Sequence, residues 1–242
     1  PLIINAANLW VVPGLIDMHV HLRDPGNTEA ETLKTGTCAA AHGGITTLLA
    51  MPNTRPVTDS ADKIRKLSQR IRREAKVNVL LAAAVTVGQK GESLTKMEEL
   101  ANAGATAFSD DGKPVMRAAL MEQALRKAKQ LNRPVLDHAE NISLTRRGMV
   151  HPGSFCEKYH LPGIPEDSEV SMIGRDIAIA SRTMGPLHIC HVSCAKSVEL
   201  IRQAKKKGIP VTAEAAPHHF TLTDNDIPKL DANYKMKPPL RS

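Results

Sequence analysis

With 242 residues and 42% hydrophobic content, the chain can bury one large core, which predicts a single domain of barrel size. No apolar run approaches a membrane span and the start lacks a signal-peptide pattern, so no membrane partner is expected. The net charge of +7 lies largely in runs such as residues 63 to 76 and 205 to 207, where the charges read as a solvated face, and aromatics at 2% offer few platforms for bases, so nucleic acid is not an expected partner.

In chain order, the first element is an apolar segment, Val11, Val12, Leu15, Ile16, Met18, Val20 and Leu22, whose β-branched content predicts a buried strand. On a strand, side chains alternate, so His19 and His21 share one side while Met18, Val20 and Leu22 take the other. Arg23, Asp24, Pro25 and Gly26 end that strand in a turn. Residues 30 to 42 read as a helix stopped by Gly43 and Gly44, and residues 45 to 51, ITTLLAM, as a second strand. The unit then repeats: helix 61 to 76, strand 77 to 85, helix 94 to 103, strand 105 to 109, helix 116 to 131, strand 134 to 140. Residues 141 to 167, rich in Gly and Pro, read as a long irregular insertion. Strand 186 to 193, helix 195 to 207 capped by Gly208, and strand 210 to 216 complete the pattern.

Seven strands alternating with helices predict an α/β protein with a parallel sheet. A closed barrel has eight, so the count fits either an open doubly wound sheet or a barrel lacking its last unit. The four cysteines, Cys38, Cys156, Cys190 and Cys194, include no C-x-x-C pair and read as buried free thiols in a reducing cytoplasm.

In a barrel, functional groups gather at the C-terminal ends of the strands. His19 and His21 end the first strand, Asn53 follows the second, Asp110 and Asp111 follow the fourth, His138 ends the fifth and His191 the sixth. Four imidazoles and a shared carboxylate at one rim can hold two divalent ions, and that donor chemistry favours zinc over magnesium or calcium. Two such ions about 3.5–4 Å apart lower the pKa of a water between them to about 7, which suits hydrolysis of an amide C–N bond. Arg23 is placed for a bidentate grip on a carboxylate, which suggests a small acidic substrate. Asp110 and Asp111 both stand as candidates for the shared carboxylate, since neighbouring side chains face opposite ways.

The motifs GLIDMHVHLRDPG (14 to 26), AMPNT (50 to 54), AFSDDG (107 to 112), LDHAE (136 to 140), HICHVS (188 to 193) and AEAAPHHF (213 to 220) run through almost the whole chain. Together they resemble the type I branch of the dihydroorotases, within the metal-dependent amidohydrolase superfamily. The resemblance implies a TIM-like (β/α)8 barrel, incomplete here, and the reversible interconversion of N-carbamoyl-L-aspartate and L-dihydroorotate in de novo pyrimidine biosynthesis. Carried over by position, His19 and His21 would bind one zinc, His138 and His191 a second, and Asp111 would bridge them. Arg23 and Asn53 would clasp the substrate carboxylate. Related hydantoinases and allantoinases bridge their metals with a carboxylated lysine, so the aspartate of AFSDDG argues for the type I branch.

The resemblance also implies a cytoplasmic homo-oligomer and, in some relatives, assembly with aspartate transcarbamoylase. Two other readings accompany it: a hydantoinase or allantoinase-type cyclic amidohydrolase, and a non-catalytic scaffold partner of that transcarbamoylase. Residues 1 to 13 read as the remnant of a small β domain and a lead-in, and residues 14 to 242 as the barrel lacking its last strand. The aspartate that shuttles the proton in the family would lie beyond Ser242. Lys237 stands where the family usually has asparagine, and His218 and His219 are read as structural.

Overall fold

The computed structural model describes residues 3 to 242. Its strands are β1 (Leu15–Val20), β2 (Ile45–Ala50), β3 (Asn78–Ala83), β4 (Ala105–Ser109), β5 (Val135–Asp137), β6 (Leu187–Ile189) and β7 (Val211–Ala213). The helices are α1 (Leu33–His42), α2 (Ala61–Glu74), α3 (Met97–Asn102), α4 (Ala118–Leu131), the short α5 (Ile142–Thr145) and α6 (Ser154–Lys158), then α7 (Asp167–Thr183), α8 (Ala195–Lys206) and the short α9 (Pro217–Thr221). All strand pairs are parallel, and the spatial order β1-β2-β3-β4-β5-β6-β7 follows the chain without reversal. A doubly wound sheet reverses its order at a switch point. The unreversed order is that of a barrel wall, an arc of seven strands whose two edges, β1 and β7, stay unpaired among the described residues.

Strand alternation builds two separate cores. Leu48, Ala50, Leu81, Ala83, Phe108, Val135, Leu187 and Ile189 face the helices and join Leu33, Ile64, Met97, Met121, Leu125 and Ile173 in one large cluster. Leu49, Ala82, Ala107 and Leu136, the intervening residues, fill the inner side with Met51 and Cys190. The helices follow from the same arithmetic: α4 buries Leu120, Met121, Ala124, Leu125 and Ala128 at three- and four-residue spacing. Gly44, at φ +76°, supplies the left-handed turn that feeds α1 into β2.

Three expectations need correction. The first strand is not buried: Leu15 is 61% and Ile16 68% exposed, because β1 is an edge strand with β2 as its sole described partner. Val11 and Val12 lie outside it, in exposed chain. Residues 167 to 183, absent from the predicted elements, form the longest helix, α7; its stripe of Met172, Ile173, Asp176, Ile179 and Ala180 packs it beside α4 and α8. Cys38 is exposed, whereas Cys190 and Cys194 are buried and all four thiols are free. No helix is long and apolar enough to cross a membrane.

Asp137 ends β5 on the helix-facing side and hydrogen-bonds to Asp176 of α7. Arg175 grips Asp176 through two contacts of 2.9 Å and also donates to the Met116 and Val115 carbonyls. Burial pushes the Asp137 carboxyl well above the ordinary range, with the negative charge of Asp176 adding to it. Asp137 therefore keeps a proton and donates it to Asp176. A carboxyl raised on folding contributes stability below its unfolded pKa of about 4, and this is lost as pH climbs to the folded value, about 1.4 kcal/mol for each unit of the shift. Asp137→Asn keeps a donor toward Asp176 and removes the titration. Urea melts as a function of pH should show wild-type stability falling relative to that of the variant above about pH 4; a difference independent of pH would mean Asp137 is ionised in the fold.

Candidate metal centre

The side chains that the sequence places on one rim do meet. β1 delivers His19 near its end, and His21, two residues on, points the same way. Asp111 follows β4 and its two carboxylate oxygens divide the four imidazoles between them. Oδ2 lies 3.3 Å from His19 Nε2 and 3.1 Å from His21 Nε2. Oδ1 lies 3.4 Å from His138 Nδ1 and 3.5 Å from His191 Nε2, and those two nitrogens are 2.8 Å apart.

Asp110 is the other member of the pair, and its role is structural. It turns away to accept from the backbone N–H of Val85 and Thr86, at 2.8 and 3.0 Å, and from the Thr86 hydroxyl. Asp111 is aimed by Ser109, whose Oγ accepts from the Asp111 N–H at 2.9 Å and donates to the Leu136 carbonyl.

The donor set fits a metal on either side of Asp111. Zinc bonds of about 2.0–2.1 Å at tetrahedral angles place neighbouring donors about 3.3–3.4 Å apart, close to the 3.1–3.5 Å found between Asp111 and the four imidazoles. Asp111 Oδ1 is buried without a hydrogen-bond partner among the described residues, a cost that a bound cation would remove. Two candidate ligand groups result, His19, His21 and Asp111, and Asp111, His138 and His191.

Three of the four imidazoles are oriented from behind. His19 Nδ1 donates to Glu214 Oε1, His21 Nδ1 to Asn53 Oδ1 at 2.9 Å, and His138 Nε2 to Glu140 Oε2 at 3.1 Å. These bonds fix the tautomers and aim the remaining lone pairs at the Asp111 side. The electrostatics are those of a negatively charged pocket around imidazoles. Burial works against charge on His19, but Asp111 and Glu214 outweigh it and raise its pKa to about 10. Burial would raise Asp111, but the four imidazoles hold it well below the carboxylate range. Burial likewise opposes ionisation of Glu140 and Glu214, yet His138 with Lys237, and His188 with His19, bring each down to about 2. Cys190 also approaches His19 and Glu214. Burial, then the nearby carboxylates, push that thiol's pKa up.

Sequence reasoning quoted the motifs holding Glu140 and Glu214 without giving either a role. Glu140 is two residues past His138 and Glu214 directly follows β7 at the rim, and those positions are the signal that was there to use. Asn53 is brought in, but as the acceptor for His21, with its Nδ2 left for other partners. Arg23 is exposed and does not line the cavity over the centre. The reason is its neighbour: Asp24 is buried in a bidentate pair with Arg70, at 2.6 and 2.9 Å, which turns Arg23 outward at φ +58°. His218 and His219 line the cavity wall, where His219 Nε2 donates to the Pro238 carbonyl at 3.1 Å.

That cavity, of about 630 Å³, opens between β1 and β7, with His19, His21, His191 and Glu214 on its floor. A second cavity, of about 360 Å³, lies between the insertion after β5 and the segment after α9; it is lined by Met149, Phe155, Leu161, Ile227 and Tyr234 and holds none of these donors.

Comparison with known proteins supplies the family. The family model for dihydro-orotase-like proteins matches residues 9–197. The dihydroorotase of Bacillus caldolyticus is 50% identical over 240 residues, covering 99% of this chain and 56% of the relative. The chain thus spans just over half the length of the curated relatives it matches. The structure of L-hydantoinase from Arthrobacter aurescens superimposes with a TM-score of 0.81 at 23% identity, over 95% of this chain and 52% of that one. Dihydroorotase from Saccharomyces cerevisiae, solved in complex with 5-fluoroorotic acid, gives 0.70 at 18% identity, over 96% and 64%. At those identities the two structures speak for the fold alone. The family match extends over well more than half of the sequence and takes in every residue of the histidine–aspartate cluster: the chain belongs to the dihydroorotase-like family.

Proposed function

We propose that the protein is a zinc-dependent cyclic amidohydrolase of dihydroorotase type, which interconverts L-dihydroorotate and N-carbamoyl-L-aspartate. The observation that carries the reading is the division of one buried carboxylate, Asp111, between two pairs of imidazoles, in a chain 50% identical to a dihydroorotase. His19 and His21 would hold one zinc, His138 and His191 the other, with Asp111 between them. Zinc held there supplies Lewis acidity for an amide carbonyl and a water of lowered pKa.

The chain's own groups prepare that chemistry. Glu214, Asn53 and Glu140 hold the N–H protons of His19, His21 and His138 on the side away from Asp111, so three lone pairs are presented without rearrangement. The Asn53 amide left free beside His21 would contact the substrate carboxylate. In ring opening the amide C–N bond breaks, hydroxyl adds to the carbonyl carbon and a proton reaches the nitrogen. We assign that proton to none of the described residues.

The test is turnover by the zinc-loaded protein, followed by loss of ring absorbance. L-dihydroorotate should be opened and hydantoin left intact; preferential opening of hydantoin would overturn the substrate in favour of the hydantoinase reading. A cytoplasmic homo-oligomer, alone or beside aspartate transcarbamoylase, belongs to the same proposal. Turnover that requires added transcarbamoylase, with a full metal complement throughout, would make the partner part of the enzyme.

A further inference from the structure

Glu214, Asn53 and Glu140 steer three of the imidazoles through their side chains; the fourth, His191, is placed through its backbone. It follows β6 at φ +36°, in the left-handed region that a residue with a Cβ rarely adopts. Such a conformation persists where the chain on both sides is fixed. Before His191 the sheet does this, since the Cys190 N–H donates to the Asp137 carbonyl at 3.0 Å. After it, the last tie to the sheet is the Val192 N–H, which donates to the Glu214 carbonyl at 2.9 Å. Ser193 and Cys194 then turn the chain into α8.

That turn is gripped by one carboxylate from another element. Glu169 stands in the first turn of α7 and is 4% exposed. Its Oε1 accepts from the Ser193 and Cys194 N–H groups at 3.1 and 3.2 Å, and its Oε2 accepts from the Ser193 hydroxyl. Cys194 is the N-cap of α8, whose N–H has no partner within the helix, and the positive end of the helix dipole favours an anion there. Arg241 adds a contact from its Nε to Ser193 Oγ at 3.3 Å. The same turn of α7 also reaches the chain after β5: the Ser168 carbonyl accepts from the Asn141 N–H at 2.7 Å, three residues past His138. Because α7 is packed beside α4 and α8 by its buried stripe, the clamp is anchored in the core rather than at the rim.

We propose that Glu169 is the positioning residue for His191: by clamping the Ser193–Cys194 turn to α7 it holds the left-handed backbone of His191, and with it the ring whose Nε2 lies 3.5 Å from Asp111 Oδ1. The inference rests on the metal reading above and gives Glu169 an effect on the His138–His191 side alone. Glu169 meets no imidazole nitrogen of the centre; it acts on where the ring stands.

Zinc affinity, measured by chelator competition in two backgrounds that isolate the sides, tests this. His19→Ala leaves Asp111, His138 and His191 as a ligand group, and His138→Ala leaves His19, His21 and Asp111. Adding Glu169→Ala should cost about tenfold in the first background and less than about twofold in the second. Glu169→Gln should recover most of the loss, because its amide oxygen still accepts from the two N–H groups and its NH2 reaches the Ser193 hydroxyl. Ile201→Val loosens the packing of α8 without touching the clamp and should leave both affinities unchanged. Zinc loss in Ile201→Val, or equal loss from Glu169→Ala in both backgrounds, would reduce Glu169 to a helix cap and overturn the proposal. If Glu169→Ala does not fold, Glu169→Asp, which keeps the charge and shortens the reach by a methylene, carries the same comparison, with its loss expected on the same side. Zinc held equally with and without Glu169 would overturn this inference and leave the metal reading intact; a wild-type protein that takes up no zinc would overturn both.

Discussion

Replacing Asp111 by asparagine should empty the centre of metal and reduce turnover by about 10³-fold or more, equivalent to about 4 kcal/mol of transition-state stabilisation. The substitution keeps the shape, so the result isolates charge and donor chemistry. A carboxylate offers an oxygen to His19 and His21 and another to His138 and His191. A carboxamide can serve one pair in that way and must aim N–H groups at the other, where a cation should sit. The negative charge that offsets two dications is lost as well. Folding should survive, because in the metal-free protein an Asn amide hydrogen-bonds to imidazole nitrogens without leaving a charge buried. The readouts are metal atoms per chain after dialysis against dilute zinc, turnover, and the thermal melt as a control. A full metal complement in Asp111→Asn would remove the carboxylate from the centre and the proposed reaction with it.

The reach of sequence reasoning can be judged residue by residue. His19 and His21 were legible because a strand's period of two puts them on one side whatever surrounds the strand. The rim positions of His138 and His191 were legible from the alternation of elements, since barrel topology fixes which strand ends share a face. The choice between Asp110 and Asp111 was not, because it depends on donors 24 and 25 residues earlier, the Thr86 and Val85 N–H groups that capture Asp110. The exposure of β1 was illegible for a similar reason: an apolar run states what it would bury, and whether a neighbour strand covers it is decided elsewhere in the chain. Helix α7 combines a mid-helix Gly174 with Ile177 and Ile179, poor intrinsic helix formers, and follows a stretch broken by prolines. Its helicity comes from the stripe packed beside α4 and α8, a tertiary gain that local propensity does not register. The orienting carboxylates were missed because nothing local to Glu214 names His19 as its partner.

Glu214 therefore carries the second large expectation. Glu214→Gln should weaken zinc binding at the His19–His21 side by about 10- to 100-fold and leave the His138–His191 side near its wild-type affinity. Glu214 joins His19 Nδ1 through Oε1 and His188 Nε2 through Oε2 at 3.1 Å, and His188 is held in turn by Thr212 Oγ1 at 2.8 Å. That chain of contacts fixes the His19 ring and, through the negative charge, makes its Nε2 a better donor to a metal. A glutamine preserves the oxygen contact and discards the charge. The same charge helps to hold the His19 pKa near 10 in the metal-free protein, so a proton competes with zinc there across the neutral range. Two consequences oppose each other in the variant: the ligand is weaker, and its proton is easier to displace. Their balance changes with pH in a way that identifies the cause. Wild-type affinity should keep rising with pH until His19 loses its proton, whereas the variant, with a lower His19 pKa, should level off earlier, so the deficit widens from about pH 6 to about pH 9. Chelator competition across that range measures it directly, with two zinc populations in the variant where the wild type shows closely matched ones. A deficit independent of pH would place the effect of Glu214 in ring orientation alone, and no deficit at any pH would show that His19 is held by Asp111 without help from β7.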